Sequence, residues 1–310
     1  MDKKFVSVLV AVIAVLAIFA VIMFGLGSSQ TPFGPFNFAV DQATLIPRFV
    51  FVVIGLLIVL GVYLFTRENA AWEVGTRQVV YMAIGAALYA IFSYLFNGTV
   101  FAVPSLSQVA LRPAIAIPMF FGFAFGPVVG FFSGAVGNLF GDALTGFGLS
   151  PQWSIGNGLV GFVSGLVFLF SDRKKSLNMV LYVSGALAVL AVILFFLNRD
   201  VTNGMYFAAT EPVSLFAGLT ILIGFVLVLA VRFIFAKNEE IAAAVTWALL
   251  GNILGIGFAA LSDIWINNYS PAAAVVGEFL PAAGPNLIFA AILVPLLVAA
   301  YAAVQRQSGR

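Results

Sequence analysis

Residues 111–142 read LRPAIAIPMFFGFAFGPVVGFFSGAVGNLFGD, with Arg112 and Asp142 near the two ends and no charged residue between them. A surface helix of a soluble protein carries polar side chains along one face, and a half-buried strand alternates apolar with polar. This stretch does neither. Its apolar run is continuous, and at about 20 residues per crossing it holds two membrane helices. Gly126-Pro127 is the punctuation between them, dividing the stretch into spans at 109–124 and 127–147.

The same texture extends in both directions. Of 310 residues 63% are hydrophobic and 8% charged, and the mean hydropathy is +1.13. Soluble domains run at about 25% charged, so this chain has too little polar surface to face water. The fold class it predicts is an all-α integral membrane protein, helical rather than barrel-forming because the apolar runs do not alternate. Eight further spans are expected at 5–26, 48–66, 78–96, 153–170, 177–197, 212–236, 241–265 and 284–304. The first resembles a signal peptide, but its run from Phe5 to Leu26 exceeds an h-region of about 7–15 residues, and it is read as a retained anchor.

The charges fit ten spans with both termini cytoplasmic. On that topology Lys3, Lys4, Arg67, Arg77, Arg173, Lys174, Lys175, Arg232, Lys237, Arg306 and Arg310 lie at the inner side. Arg48, Arg112 and Arg199 alone are outside, the asymmetry of the positive-inside rule. Removing or adding one span would place basic clusters on the wrong side. The expected location is the cell membrane, as a multi-pass protein in contact with lipid.

Composition also excludes chemistry. The chain has no His and no Cys, which removes thiol catalysis, imidazole bases and most metal ligation. No metal, cofactor or catalytic residue is assigned, and the chain is read as not an enzyme. A net charge of +2 spread along the sequence leaves no nucleic-acid footprint. There is no G-x-x-x-x-G-K-[ST] phosphate loop, so any ATPase belongs to another polypeptide.

Twelve of the 30 glycines fall between Gly122 and Gly165, several of them four residues apart. Small residues at that spacing let membrane helices approach closely. The polar groups gather near span ends on the outer side. Arg112 opens a helix beside Pro113, Asn138 and Asp142 share one face, and Trp153 and Asn157 share another. Asn286 is expected in the first turn of the last span. Ionisable groups so near hydrocarbon are functional candidates; the bland alternative is that Arg112 pairs with Asp142 and that Trp153 and Trp265 are belt aromatics. Asp263 and Glu278 are read as structural. In the third span Ala83, Ala87 and Ala90 form a smooth strip suited to packing on, and sliding along, a partner helix.

Taken together, these segments resemble the substrate-binding S component of energy-coupling factor (ECF) transporters, the vitamin-uptake branch of ABC transporters. The resemblance rests on the alanine-rich helix from Ala83 to Ala90, the block from Leu111 to Gly130, Gly134 to Asp142, Trp153 to Gly161, and Pro285 to Phe289 with Pro295 beyond. It implies a six-helix S-component-like bundle plus about four extra transmembrane helices. Residues 1–70 are then an extra N-terminal hairpin, and residues 71–306 the S-component-like domain with a hairpin inserted at about 173–240. The resemblance further implies capture of a vitamin or similar small molecule from outside, riboflavin first among the candidates. Delivery inside would involve a transmembrane coupling subunit and two cytoplasmic ATPase subunits. Arg112, Asn138, Asp142, Trp153, Asn157 and Asn286 would bind substrate, and Ala83, Ala87 and Ala90 would face the coupling subunit. The alternatives are an ion-coupled secondary transporter, which wants carboxylates at mid-membrane depth, and a non-catalytic structural membrane protein.

Overall fold

The computed structural model describes residues 3–28, 32–96, 102–103, 109–146, 148–202 and 211–308. Arg310, assigned to the inner side, lies outside them. Among the described residues there are ten α-helices: α1 (Lys3–Ala20), α2 (Leu45–Thr66), α3 (Thr76–Phe96), α4 (Ala116–Phe125), α5 (Pro127–Thr145), α6 (Pro151–Gly165), α7 (Arg173–Leu197), α8 (Leu215–Ile234), α9 (Glu239–Ile266) and α10 (Leu280–Gln307). Two short strands, β1 (Ala102–Val103) and β2 (Val109–Ala110), pair antiparallel between α3 and α4. The protein is an all-α, multi-pass membrane protein.

Among the described residues nine helices are long and apolar enough to cross a membrane, not ten. The shortfall is the fourth span, where the helical stretch is Pro113–Phe125. At 1.5 Å per residue it rises about 20 Å, less than the roughly 30 Å of a hydrocarbon core. It nonetheless links both ends of the bundle. Arg112, just before it, reaches the last turns of α5, while Phe125 at its foot stacks on Tyr81 in the first turns of α3, with ring centroids 3.8 Å apart. Being buried on nearly every side, α4 has no lipid-facing length to satisfy. Gly126 then reverses the chain with φ of 106°, a conformation open to glycine, and Pro127 starts α5.

The centre consists of α4, α5, α6 and α9. Of the most apolar windows of α5, α6 and α9, 72%, 78% and 78% is buried, against 28–33% for the other long helices. Glycine makes this closeness possible. A methyl added at Gly122, Gly130 or Gly161 would run into the backbone of the neighbouring helix, and one at Gly156 would stand 2.6 Å from the Gly255 carbonyl oxygen. Backbones at that distance gain dispersion contacts that lipid cannot replace. Around this centre α1 and α2 pack on α5 and α6, and α7 and α8 on α9 and α10.

The last span differs from expectation as well. It starts with π-helical turns at Ala273–Phe279 and runs unbroken into α10, so Asn286 lies well inside it rather than in its first turn. Pro281, Gly284 and Pro285 look like a helix start in sequence. A proline ring collides with the carbonyl four residues back, and the wider π turn just before Pro281 relieves that collision.

Candidate functional site

The sequence predicts that Arg112, Asn138, Asp142, Trp153 and Asn157 lie at one end of the bundle. All five are found there, joined by hydrogen bonds. The Arg112 guanidinium lies 3.3 Å from Asp142 Oδ1 and donates to Asn138 Oδ1. Asn138 Nδ2 donates to Asp142 Oδ2 at 2.7 Å and to Ser154 Oγ at 3.0 Å. Tyr89, from α3, points its hydroxyl at Asn157 Oδ1 (2.8 Å) with Asn138 Oδ1 at 3.4 Å. Asn157 Nδ2 in turn donates to the Trp153 carbonyl at 2.8 Å.

Asn138 and Asn157 are fully buried, and an unpaired amide in such surroundings costs several times a typical net hydrogen bond. The groups satisfy one another instead. The Arg112 and Asp142 side chains remain 18% and 14% exposed, so the network has a partly open rim at the ion pair. The assembly offers donors, acceptors, one arginine–carboxylate pair and two ring systems, Tyr89 and Trp153. These groups can exchange hydrogen bonds with a polar guest.

The network continues beyond the predicted residues. Trp153 Nε1 donates to Asp263 Oδ2 at 2.9 Å, and Asp263 Oδ1 accepts from Gln152 at 3.0 Å and Asn267 at 2.9 Å. Gln152 Oε1 accepts from Arg48 Nη1 at 2.9 Å, and Arg48 Nε donates to Thr44 Oγ1 at 2.8 Å. Thr44 donates to Asp41, whose carboxyl is held below its usual range by that hydroxyl and by the Ala43 N–H. In the loop after α9, burial pushes the Tyr269 phenol up to about 12, with the Glu278 and Asp263 carboxylates adding to the effect.

The α1–α2 connection lies across this end. Asn37 N–H donates to the Ala143 carbonyl and Leu149 N–H to the Ala39 carbonyl, both at 2.8 Å. Phe36 and Phe38 meet Phe140 of α5 edge-on, at 5.8 and 5.9 Å. At the opposite end a cavity of about 160 Å³ is lined by Phe120, Phe168, Glu240 and Tyr301 among others. Among the described residues no three carboxylates gather closely enough to hold a metal ion.

Residues 73–217 match the family model described as ECF-type riboflavin transporter, S component. Over this stretch the chain is similar to the ECF S-component family. Related sequences include a UPF0397 protein of Aliivibrio salmonicida, 35% identical over 33% of this chain and 54% of its own, and one of Vibrio atlanticus, 38% identical over 32% and 52%. The matches thus span about half the length of those relatives. No solved structure matches the chain.

The S-component stretch contains Tyr89, Arg112, Asn138, Asp142, Trp153 and Asn157. It runs on through α7, whereas Arg48, Asp263 and Asn286 lie outside it. Asn286 is buried in α10 and, among the described residues, is not hydrogen-bonded to the network. On α3 the expected strip divides. Ala83 and Ala87 are exposed, while Ala90 is 7% exposed, its Cα 3.5 Å from where a methyl on Gly141 would stand. Ala90 sits where the inward face of Met82, Ala86, Tyr89 and Ser93 meets the outward one, and α5 covers it.

Sequence reasoning missed Tyr89, Gln152 and Arg48 and set Asp263 aside as structural. The usable signal for Tyr89 was a hydroxyl seven residues beyond Met82, on the helix face opposite the smooth strip. For Arg48 it was a basic residue at the outer end of a span, where the other side of the membrane is favoured.

Proposed function

We propose that this chain is the substrate-capture subunit of an ECF-type importer. It binds a vitamin or similar small molecule at the network end and delivers it inside together with a coupling subunit and two ATPases. The observation that carries this reading is the position of the Arg112–Asn138–Asp142–Asn157 network, which falls within the S-component stretch and leaves the ion pair at its rim. A flat polar guest stacked on Trp153 would trade hydrogen bonds with these amides, the usual design of a small-molecule site. Riboflavin is the first candidate because the matching family model is described by it.

Both termini lie in the cytoplasm on this reading, in keeping with the inner clustering of Lys and Arg. The capture domain consists of α3–α6 with α9 and α10, and the hairpins α1–α2 and α7–α8 are additions at its flanks. The contacts of α9 and α10 with α4 and α6 support that division, although the family match extends through α7. Ala83 and Ala87 form the face toward the coupling subunit.

The test is co-purification and uptake. The tagged chain drawn from its native membrane is expected to bring ATPase subunits with it, and uptake of its ligand is expected to stop when those ATPases are deleted. Uptake that persists without them would replace this reading with an ion-coupled transporter.

A further inference from the structure

The N-terminal hairpin lies outside the S-component stretch, yet it is tied to the network end of the bundle at two independent places. One is the connection described above, which hydrogen-bonds to both sides of the α5–α6 turn at Ala143 and Leu149. The other is Arg48, 8% exposed, whose guanidinium reaches out of α2 to Gln152. Gln152 has one amide and uses both ends of it. Its oxygen accepts from Arg48, and this orients its nitrogen toward Asp263 Oδ1 at 3.0 Å. The other oxygen of the same carboxylate receives the Trp153 indole. Helices α2 and α6 pack closely beside this chain: a methyl on Gly55 would strike the Ile155 side chain.

We infer that Arg48 is a positioning residue for the ligand site, fixing the Trp153 indole through Gln152 and Asp263, so that the N-terminal hairpin is a working part of the binding end and not an appendage. A carboxylate can accept the indole proton in several geometries. With Gln152 and Asn267 occupying its other oxygen, one geometry is left, and the ring plane of Trp153 follows from it. Without Arg48, the Gln152 amide is free to turn over and present its nitrogen elsewhere, and the carboxylate loses the buried cation that is joined to it through Gln152. A methionine in place of Arg48 fills comparable space but donates nothing, while a lysine keeps the charge and N–H donors but not the planar guanidinium fork.

That Trp153 touches ligand rests on the proposed function; that Arg48 sets the indole does not. The experiment therefore has two arms. In the ligand-free protein in detergent, the emission of Trp153 is isolated as the difference between each protein and its Trp153→Phe counterpart. Arg48→Met is expected to shift that difference spectrum, and Arg48→Lys to restore much of it. An Arg48→Met spectrum identical to wild type would overturn the inference. In the second arm riboflavin is the probe, read by flavin fluorescence. Arg48→Met is expected to weaken binding by about tenfold, the scale of one charged hydrogen bond. Adding it to Trp153→Phe is expected to cost nothing further, because both changes act through the same ring. Fully additive losses would overturn the positioning role, leaving Arg48 with a general effect on stability. If the wild-type protein ignores riboflavin while the spectral shift is present, the substrate reading fails and the positioning relation stands.

Discussion

The Tyr89 hydroxyl of α3 donates to the Asn157 amide oxygen of α6 across 2.8 Å, and both residues are buried. The same helix carries Ala83 and Ala87 on its outward face. One helix thus has the polar network on one side and the proposed coupling face on the other. A change in how α3 packs on α5 and α6 would be felt on both.

Removing the hydroxyl tests the inner side. Tyr89→Phe leaves the Asn157 oxygen without its donor and is expected to destabilise the protein by about 1–2 kcal/mol. Thermal melting in detergent measures this. Ligand affinity is expected to fall with it, since Asn157 is then free to rotate.

Bulk added to α3 tests the outer side. Ala83→Trp and Ala87→Trp project away from the bundle and are expected to leave melting and ligand binding unchanged while abolishing co-purification of the ATPases. Ala90→Trp is expected to behave differently, lowering the melting temperature, because α5 already covers that position.

The Arg112–Asp142 pair is partly buried, and each partner has further bonds to Asn138. Asp142→Ala removes the carboxylate partner of the Arg112 guanidinium and is expected to cost about 1.5–3 kcal/mol in a melting experiment. The double variant Arg112→Ala with Asp142→Ala is expected to lose less than the two single losses combined, because the two side chains share one interaction that each single deletion already removes.

Packing predictions follow from the glycines. Gly161→Ala puts a methyl against the Gly130 carbonyl and is expected to cost about 1–3 kcal/mol, the usual scale of overpacking. Gly61→Ala in α2 meets nothing within 4 Å and is expected to be neutral, or to gain about 0.5–1 kcal/mol from helix propensity.

Much of this was legible in the residues, and the reasons are local. Continuous apolar runs require membrane helices, and the 3.6-residue period places Asn138 beside Asp142 and Trp153 beside Asn157. The close glycine contacts of α4, α5 and α6 follow from spacing alone. Three features were not legible. The length of α4 depends on its being enclosed by neighbours, which no single stretch of sequence records. The early start of the last helix depends on π turns that tolerate Pro281. The bond from Trp153 to Asp263 joins positions 110 residues apart, and Arg48 enters from a hairpin outside the recognisable family stretch. Long-range partners of single polar residues carry no periodic signature, so they were out of reach.

The central claim is that the network binds a small molecule, and equilibrium binding tests it most directly. Whatever co-purifies with the wild-type protein is extracted, identified by absorbance and mass spectrometry, and titrated back onto ligand-free protein. The account predicts one bound organic molecule, with affinity reduced at least about tenfold in Asp142→Ala and in Asn157→Ala, the loss of one strong hydrogen bond. Folded variants that bind it as tightly as wild type would contradict the account.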